Sequence, residues 1–485
     1  MKFKPLLYWT HRWLGIATCL LFASWFASGI IMMYVEYPAL TEEERLTNLP
    51  PLNLEQVSLT PFEASAALSS ARIFSAVKLT SVLGRPAFEF RGLDDRVSLV
   101  FADTGRKVGG LSEESALVAA AMSGFSRTDS KQAYDELIEM DQWSISASLN
   151  AYRPLHRVNL NDAEGRVVYV SDNTGQVVLD TTRKERFWNW LGAVVHWIYP
   201  LQLRKNTALW VDVIVYLSLA GIISVITGGI IGFMRIRIRK AYWGQNYSPY
   251  KGWMKWHHVL GLFVLVFVFT FIFSGLMSMG PWGIFNSPTS SLEQINRYRG
   301  NDSLRLSNLP MPEWSEPSLG VKEVQWHQIQ RSPYYSLIKS QEDKEIRFSN
   351  DAAQNTSLIL LAKISEAIPF LLPDAKLESI EFIDEPDNYY YARRDNYRSF
   401  PVYRAKFDDP ESTWYHIDLN TGEVINRVTN AGRWERWLFN GLHSLDFQVL
   451  LRNRPVWDLL VIFLSLLGFV FSLTAIVVGW RRLVS

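Results

Sequence analysis

The stretch that decides the fold is YWTHRWLGIATCLLFASWFASGII at residues 8–31, because it recurs as MKWHHVLGLFVLVFVFTFIFSGLM at residues 254–277. The two copies are offset by 246 residues and align His11 with His257. Each copy also has a glycine four residues after the aligned histidine and a Ser-Gly pair near its end. A repeat of this length indicates an architecture built from two similar halves.

Four segments have the length and apolarity of membrane-spanning helices, namely 13–35, 208–234, 257–280 and 456–480. Each is near the roughly 20 residues that a bilayer requires. The first is too long for a signal peptide and is expected to remain as an anchor. The sequence therefore predicts an α-helical membrane bundle of four transmembrane helices in two parallel repeats, with two α+β domains in the polar insertions.

Basic residues cluster beside the ends of the predicted spans. They are Lys2, Lys4, Arg12, Arg235, Arg237, Arg239, Lys240, Lys251, Lys255, Arg481 and Arg482. Short loops on the cytoplasmic side carry an excess of Lys and Arg, so both termini and the 235–256 loop are expected in the cytoplasm. The insertions would then lie outside, which in a bacterium is the periplasm, and the chain would sit in the inner membrane.

These segments give a predicted domain organisation. It consists of a cytoplasmic N-terminus and first span at 1–35, a periplasmic domain at 36–185, an interfacial helix and second span at 186–234, a cytoplasmic loop at 235–256, a third span at 257–280, a second periplasmic domain at 281–432, and an interfacial helix and fourth span at 433–485.

Composition excludes two classes of function. The net charge of +1 gives no support to nucleic-acid binding, since the basic clusters are explained by membrane topology. Cys19, the only cysteine, lies in the first span, so the insertions have no disulfides or thiol chemistry. Any redox centre must therefore be an acquired cofactor.

The insertions alternate strand-like and helix-like stretches. Asp/Asn-Gly turns predict hairpins at 97–110, 166–180 and 413–428, and helices are expected at 60–71, 113–124 and 355–370. His156, His327 and His416 stand singly and are interpreted as structural or surface histidines rather than metal ligands.

A second repeat pairs two more histidines. Residues 186–210, RFWNWLGAVVHWIYPLQLRKNTALW, match RWERWLFNGLHSLDFQVLLRNRPVW at 433–457, which places His196 on His443 with an offset of 247 residues. Because both halves run through the membrane in the same sense, equivalent residues should face each other across an axis along the membrane normal. The sequence predicts two bis-histidine sites, His11 with His257 on the cytoplasmic side and His196 with His443 on the outer side, as axial ligands of two haem b groups.

Four neighbouring residues are possible haem contacts. Gly15 and Gly261 lie one turn beyond the first pair of histidines, where they either leave room for a porphyrin or permit close helix packing. Arg12 either pairs with a propionate or reflects topology alone. His258 occupies the place of Arg12 and cannot point in the same direction as His257, since a helix turns about 100° per residue; His257 is favoured as the ligand.

These motifs resemble the PepSY-associated transmembrane family. The matching motifs are HRWLG and WHHVLG, each with a later Ser-Gly, together with LHSLDF and the D-x-x-TG-x-V hairpins. The resemblance implies PepSY-like outer domains. Members of this family include dihaem ferric-siderophore reductases, so the resemblance also implies an activity of that kind. Some relatives carry a fused flavin and nicotinamide module, whereas this sequence ends at Ser485, so a separate electron donor is expected, either quinol or a cytoplasmic flavoprotein.

The expected function is an inner-membrane dihaem electron conduit, embedded in membrane lipid, that reduces a ferric-siderophore or another periplasmic iron chelate for iron uptake. It would act as an oxidoreductase without acid–base catalytic residues. Two alternatives remain open. The chain could be a membrane-anchored binding or inhibitory module, or a transporter for iron chelates.

Overall fold

The computed structural model describes residues 3–68, 73–126, 131–238, 242, 247–285, 289–300, 304–312, 320–348, 356–392 and 397–485. The chain divides into two compact units, and each unit takes segments from both sequence repeats. The helical unit comprises Met1–Tyr37, Glu185–Asn286 and Ala431–Ser485. The sheet unit comprises Pro38–Lys184 and Ser287–Asn430.

The helical unit contains the membrane-spanning segments. Within the described residues, three helices are long and apolar enough to cross a membrane: span 1 (Phe3–Met32), span 2 (Thr207–Arg235) and span 4 (Arg454–Leu483). Span 3 consists of Gly252–Phe263 and Leu265–Met277, which are bent by 69° at a short break. It makes a fourth crossing if the two helices count as one. The chain is therefore a membrane protein.

Span 1 begins ten residues earlier than the predicted start at 13. Lys4 and Arg12 lie within its first turns, where long basic side chains can reach the membrane surface without ending the helix. His11 consequently lies inside a long regular helix, which fixes its direction relative to the rest of span 1.

The spans pack through small residues. Span 1 packs against spans 2 and 4, and the two helices of span 3 pack against the same two. A Cβ atom on Gly468 would lie 2.5 Å from Cζ of Phe26, and one on Gly221 would lie 3.0 Å from Cε1 of Phe22. The two glycines thus admit aromatic rings of span 1 into the helix surface, as small residues do in membrane bundles.

Shorter helices connect the spans of the helical unit. They are Arg183–Leu191, Ala193–His196, Leu201–Arg204, the 3₁₀ turn Pro281–Gly283, Asn430–Glu435, the π-helix Arg436–Gly441 and Gln448–Leu451.

The strands of the sheet unit form three antiparallel sheets among the described residues. They are β1 (Phe74–Val82), β2 (Arg85–Gly92), β3 (Val97–Phe101), β4 (Ala133–Ile138), β5 (Leu155–Asn159), β6 (Val167–Ser171), β7 (Val177–Thr181), β8 (Glu323–Ile329), β9 (Ser332–Ile338), β10 (Lys344–Phe348), β11 (Leu377–Ile383), β12 (Val402–Phe407), β13 (Trp414–Asp418) and β14 (Val424–Val428). The sheet orders are β10-β9-β8-β1-β2-β3, β4-β5-β6-β7 and β11-β12-β13-β14.

The first sheet joins the two insertions. Its order is palindromic, because the β1-β2-β3 meander of the first insertion pairs through β1 with β8 of the matching meander in the second. At the centre Lys78 pairs with Gln325, which lies 247 residues further along the chain. A three-stranded meander has two edge strands, and the pairing of β1 with β8 covers one edge of each meander.

This pairing corrects the expectation of separate domains at 36–185 and 281–432. Side chains from both insertions, among them Leu79, Phe88, Val324 and Trp326, share one buried core. The insertions therefore form a single compact unit rather than two independent domains.

Helices cover the sheets of this unit. They are Glu42–Asn48, Leu54–Gln56, Pro61–Ser65, Glu113–Met122, Ala147–Tyr152, Leu292–Arg299, Leu306–Asn308, Thr356–Ala367 and Ile368–Leu371. The predicted hairpins at 166–180 and 413–428 are confirmed as β6-β7 and β13-β14, with positive φ at Gly175 and Gly422. The capping box of Thr60 and Glu63 is also present, but its helix ends at Ser65, well before the predicted 71.

A buried charge cluster lies beside the β1–β8 pairing. Glu323 is 2% exposed and accepts hydrogen bonds from Arg45 at 2.7 and 2.6 Å, while Nζ of Lys78 lies 3.3 Å from its carboxylate. Burial acts to raise the pKa of Glu323, but Lys78 and Arg45 outweigh burial and lower it to about 2. The cluster therefore links both insertions through charge as well as through apolar contact.

The isolated histidines of the sheet unit are buried and bonded within it. His156 lies between the Tyr134 hydroxyl and Asp172, at 3.2 and 3.1 Å. Nε2 of His416 accepts a hydrogen bond from Arg404 at 2.8 Å. Burial lowers the pKa of His416 to about 3, and the neighbouring Arg404 adds to the effect. These contacts favour the structural role over the surface role for these histidines.

Candidate functional site

The structure brings together the four histidines that the two sequence repeats align. His11 of span 1 and His257 of span 3 have ring centroids 6.3 Å apart, with their planes inclined by 28°. His196 and His443 have centroids 6.0 Å apart, with planes inclined by 70°. The helical unit thus contains two histidine pairs, each made of one residue from each repeat.

His196 ends the short helix Ala193–His196 and is held against span 1. Its Nδ1 lies 3.1 Å from the backbone carbonyl of Trp25 and 3.1 Å from Oγ of Ser28. A carbonyl can only accept, so Nδ1 carries the proton. A Cβ atom on Gly29 would lie 3.4 Å from Cε1 of His196, so this glycine lets the ring approach the helix.

His443 is held against span 3 in the same way. Its Nδ1 lies 3.1 Å from the carbonyl of Phe271 and 3.1 Å from Oγ of Ser274. A Cβ atom on Gly275 would lie 3.6 Å from Cε1 of its ring. In each half of the chain, therefore, the Ser-Gly pair of one span packs against the histidine that follows the insertion, Ser28-Gly29 against His196 and Ser274-Gly275 against His443.

The other pair is oriented by spans 2 and 4. Nδ1 of His11 donates to the carbonyl of Ser224 at 3.0 Å. Nδ1 of His257 lies 3.1 Å from Oγ1 of Thr474, whose own proton goes to the carbonyl of Phe471 at 2.6 Å. The Thr474 hydroxyl therefore accepts from His257, and both rings carry their proton on Nδ1.

This tautomer leaves Nε2 as the nitrogen with the lone pair. Among the described residues, no protein group hydrogen-bonds Nε2 of His11, His196 or His257. Metal-bound histidines usually donate their other ring N–H to a carbonyl or hydroxyl, which fixes the ring and its tautomer. The lone pair of Nε2 is therefore the one that these rings could offer to a metal ion.

The spacing of each pair suits one metal ion between two rings. A metal–imidazole bond is about 2.0 Å long and the bonded nitrogen lies about 1.1 Å from the ring centre, so two trans imidazoles have centroids roughly 6.2 Å apart. The observed separations of 6.3 and 6.0 Å agree with this value. Direct stacking contact between the rings would bring them closer.

His258 is placed differently from His257. Its Nδ1 lies 2.8 Å from Oγ of Ser248 and its Nε2 lies 3.0 Å from the carbonyl of Gly232. Both ring nitrogens thus have protein partners, and the side chain is 7% exposed. In this position His258 connects the segment that follows span 2 to span 3.

A cavity of about 720 Å³ surrounds the His11–His257 pair. Its volume falls within the range of roughly 300 to 1,000 Å³ typical of cofactor and ligand pockets. All four predicted neighbours line it, namely Arg12, Gly15, His258 and Gly261. Lys251, Arg481 and Arg482 line it as well, so basic groups are available to an anionic substituent of a bound ligand.

The glycines in and near this cavity have different roles. A Cβ atom on Gly15 would only make ordinary contact with Ser224, 3.9 Å away. One on Gly261 would lie 2.9 Å from the Phe471 ring, and one on Gly192 would lie 3.0 Å from Ile31. Gly261 therefore serves close packing, the alternative that the sequence left open, whereas Gly15 borders free space. Gly192, which precedes His196 and lies outside this cavity, also serves close packing.

Two features of the site did not follow from the sequence interpretation. The Ser-Gly pairs repeat at matching positions, yet their function as seats for His196 and His443 appears only in three dimensions. Gly228 of span 2 was also missed, although a Cβ atom there would lie 2.6 Å from Cε1 of His11. A glycine in an apolar helix gives no sign of which neighbour requires it.

Aromatic side chains fill the interior between the two pairs. Phe471 stacks on His257 with centroids 5.0 Å apart, and Phe271 lies 5.6 Å from His443. Both belong to a cluster whose buried centre includes Phe26, 6.2 Å from Phe271. The region between the pairs is therefore apolar and aromatic.

The comparison with curated proteins gave no match. The comparison with family models agrees with the resemblance seen in the motifs. The family model described as the PepSY-associated TM region matches residues 8–324, which include His11, His196 and His257. The match covers well over half of the sequence, and the chain therefore belongs to the PepSY-associated TM family.

Proposed function

We propose that this protein is a dihaem b-type electron-transfer protein of the bacterial inner membrane. The observation that carries the proposal is the pair of facing imidazoles at each site, with Nδ1 held by the neighbouring helix and ring centroids 6.3 and 6.0 Å apart. His11 and His257 would hold one haem, and His196 and His443 the other. Bound in this way, haem supplies reversible one-electron chemistry at its iron.

Several residues beside the histidine pairs have a specific role in this proposal. The carbonyl of Ser224 and the hydroxyl of Thr474 orient the first pair, and the Ser-Gly pairs orient the second. Arg12 and Arg481 line the cavity and are suited to haem propionates. His258 is kept from coordinating by its contacts with Ser248 and Gly232.

The two pairs would lie at different depths in the bilayer. His11 bonds to span 2 near one end of span 1, while His196 bonds to Trp25 and Ser28 near the other. Seventeen residues separate His11 from Ser28, which corresponds to about 25 Å of helix rise. Two redox groups at these depths would together carry an electron across most of the hydrocarbon layer.

The basic flanks of the spans set the proposed direction. They favour a cytoplasmic position for both termini, so the His11–His257 pair would face the cytoplasmic side and the sheet unit would be periplasmic. Equivalent residues meeting in each pair support the four-span arrangement in two parallel repeats. Electrons would enter from a cytoplasmic flavoprotein or quinol and leave to a periplasmic acceptor.

A ferric-siderophore is the acceptor that we propose, in line with the resemblance drawn from the motifs. One electron converts bound Fe(III) to Fe(II), so a two-electron donor would reduce two chelates. Oxygen-rich chelators hold the softer Fe(II) less tightly, which makes reduction an effective step for iron release. The chain needs no acid–base residue for this chemistry.

The decisive experiment is the haem content of the purified protein with His257→Ala and His258→Ala as matched variants. With haem supplied in excess, the unaltered chain should bind two extractable haems. His257→Ala should retain one and His258→Ala both. A preparation without a Soret band would favour a binding module, and substrate flux without haem would favour a transporter.

A further inference from the structure

The turn that follows each histidine of the His196–His443 pair has an unusual backbone. Ile198 has φ of 49° and Leu445 has φ of 52°, and each lies two residues after the histidine. The left-handed region is rarely occupied by residues other than glycine, and a β-branched residue such as Ile198 is a clear outlier there. The same conformation at equivalent positions of both repeats indicates a shared requirement.

A tryptophan from the following span is bonded to each turn. Nε1 of Trp210 donates to the carbonyls of Trp197 and Ile198 at 2.9 and 3.1 Å. Nε1 of Trp457 donates to the carbonyl of Ser444 at 2.8 Å. The two tryptophans are 247 residues apart, the same offset that relates His196 to His443.

Helix ends of this kind normally use glycine at the left-handed position, because glycine adopts it without strain. After His196 the chain makes the corresponding contact, from the amide of Tyr199 to the carbonyl of Val194 at 2.9 Å, but with isoleucine at the turn. The turn therefore depends on groups outside it. The indole is such a group, since it fixes the carbonyl directly after the histidine.

Packing reinforces the hydrogen bond in the second repeat. Trp457 is 7% exposed and forms a buried cluster with Met33 and Val461, and Leu445 packs against this cluster. The left-handed residue is thus held by its side chain as well as by its carbonyl.

We propose that Trp210 and Trp457 are positioning residues for the His196–His443 pair, each locking the left-handed turn that aims one imidazole. The proposal rests on the proposed function only for the identity of the group that the imidazoles hold. Each acts through backbone carbonyls, Trp210 through those of Trp197 and Ile198 and Trp457 through that of Ser444.

The test compares Trp210→Phe with the double variant Trp210→Phe, Ile198→Gly. Phenylalanine keeps the ring but removes the donor, and glycine adopts positive φ without help. Loss of a partner that orients a metal ligand costs about 10-fold to 100-fold in affinity. Trp210→Phe should therefore speed haem release from this site about 10-fold and shift its midpoint potential, leaving the His11–His257 site unchanged. The Ile198→Gly background should remove most of that effect.

Trp480→Phe is the matched control, because its indole is exposed on span 4 and should alter neither site. The proposal is overturned if Trp210→Phe releases haem at the same rate as the unaltered chain and has the same midpoint potential. An equal effect of Trp210→Phe with and without Ile198→Gly would also overturn it, because the indole would then act by another route.

A haem-free measurement separates this proposal from the proposed function. In the apoprotein, hydrogen exchange of the 193–200 segment should accelerate in Trp210→Phe and stay unchanged in Trp480→Phe. If the unaltered chain binds no haem, the proposed function fails, yet faster hydrogen exchange in Trp210→Phe still shows that the indole stabilises the turn. Unchanged hydrogen exchange in Trp210→Phe refutes that role of the indole, whatever the haem content.

Discussion

Gly228→Ala is the smallest change that should remove one haem and spare the other. The added Cβ atom would lie 2.6 Å from Cε1 and 3.0 Å from Nδ1 of His11. Carbon atoms in good contact lie about 3.5 to 4.0 Å apart, so the imidazole must move by roughly 1 Å. That movement breaks or stretches the bond from Nδ1 to the carbonyl of Ser224 and tilts Nε2 away from the pair axis.

The magnitude follows from this displacement. A ligand constellation must be held within about 0.5 Å to function, and loss of the group that orients a metal ligand costs about 10-fold to 100-fold in affinity. We therefore expect the His11–His257 haem to be lost or bound at least about 10-fold more weakly. The helix itself should be no less stable, because alanine has the higher helix propensity.

Gly229→Ala provides the matched control on the next residue of the same helix. Its Cβ atom would lie 3.0 Å from the δ-methyl groups of Leu265, which can rotate away. The assay is haem content per chain, together with a redox titration that resolves the two sites. If Gly228→Ala binds two haems with unchanged affinity and potentials, the geometry assigned to His11 is wrong.

Further predictions concern the ligands, the electron path and the sheet unit. Acid acetone should extract two haems per chain, and one haem at saturation would contradict the dihaem proposal. His257→Ala should lose the cytoplasmic haem while His258→Ala keeps both; the reverse result would show that the histidine alignment is shifted by one residue. In proteoliposomes with reductant sealed inside, reduction of an external ferric chelate should collapse in both His11→Ala and His443→Ala. Unchanged reduction in a His11→Ala variant that has lost its haem would place that site off the path. The pKa of Glu323 is lowered from its ordinary value near 4.5 to about 2, so its carboxylate should add up to about 3 kcal/mol to the free energy of unfolding. This contribution is fully present above pH 4.5 and is lost as the pH falls toward 2. Denaturant unfolding of Glu323→Gln should accordingly depend less on pH between 5 and 2.5 than that of the unaltered chain, and an equal slope would refute the assignment.

The sequence predicted the spans from apolar length and aligned the paired histidines from the internal repeat, because both patterns are visible along the chain. Apolar length identifies spans 1, 2 and 4 without knowledge of their neighbours. The repeat offset aligned His11 with His257 and His196 with His443 before any contact was known. These aligned residues are the ones that face each other in the structure.

Features that depend on contacts between distant segments were not predicted. The pairing of β1 with β8 joins strands about 250 residues apart, and neither strand indicates that its edge is paired. The roles of Gly228 and Ser28 likewise depend on which ring packs against them. Span 3 bends between Phe263 and Leu265. Its sequence has no proline at this point that would have predicted the bend.

Internal repetition extends through both units, which bears on how the chain arose and how its sites are held. His196 and His443, Trp210 and Trp457, and the paired residues Lys78 and Gln325 are all separated by 247 positions. The first sheet also has a palindromic order with one meander from each insertion, which a duplication limited to the spans would not supply. The repeated block therefore comprises span, insertion and span together, and each half contributes one imidazole to each pair and one meander to the shared sheet. Neither half completes a site alone, so the two halves must associate before either histidine pair can form.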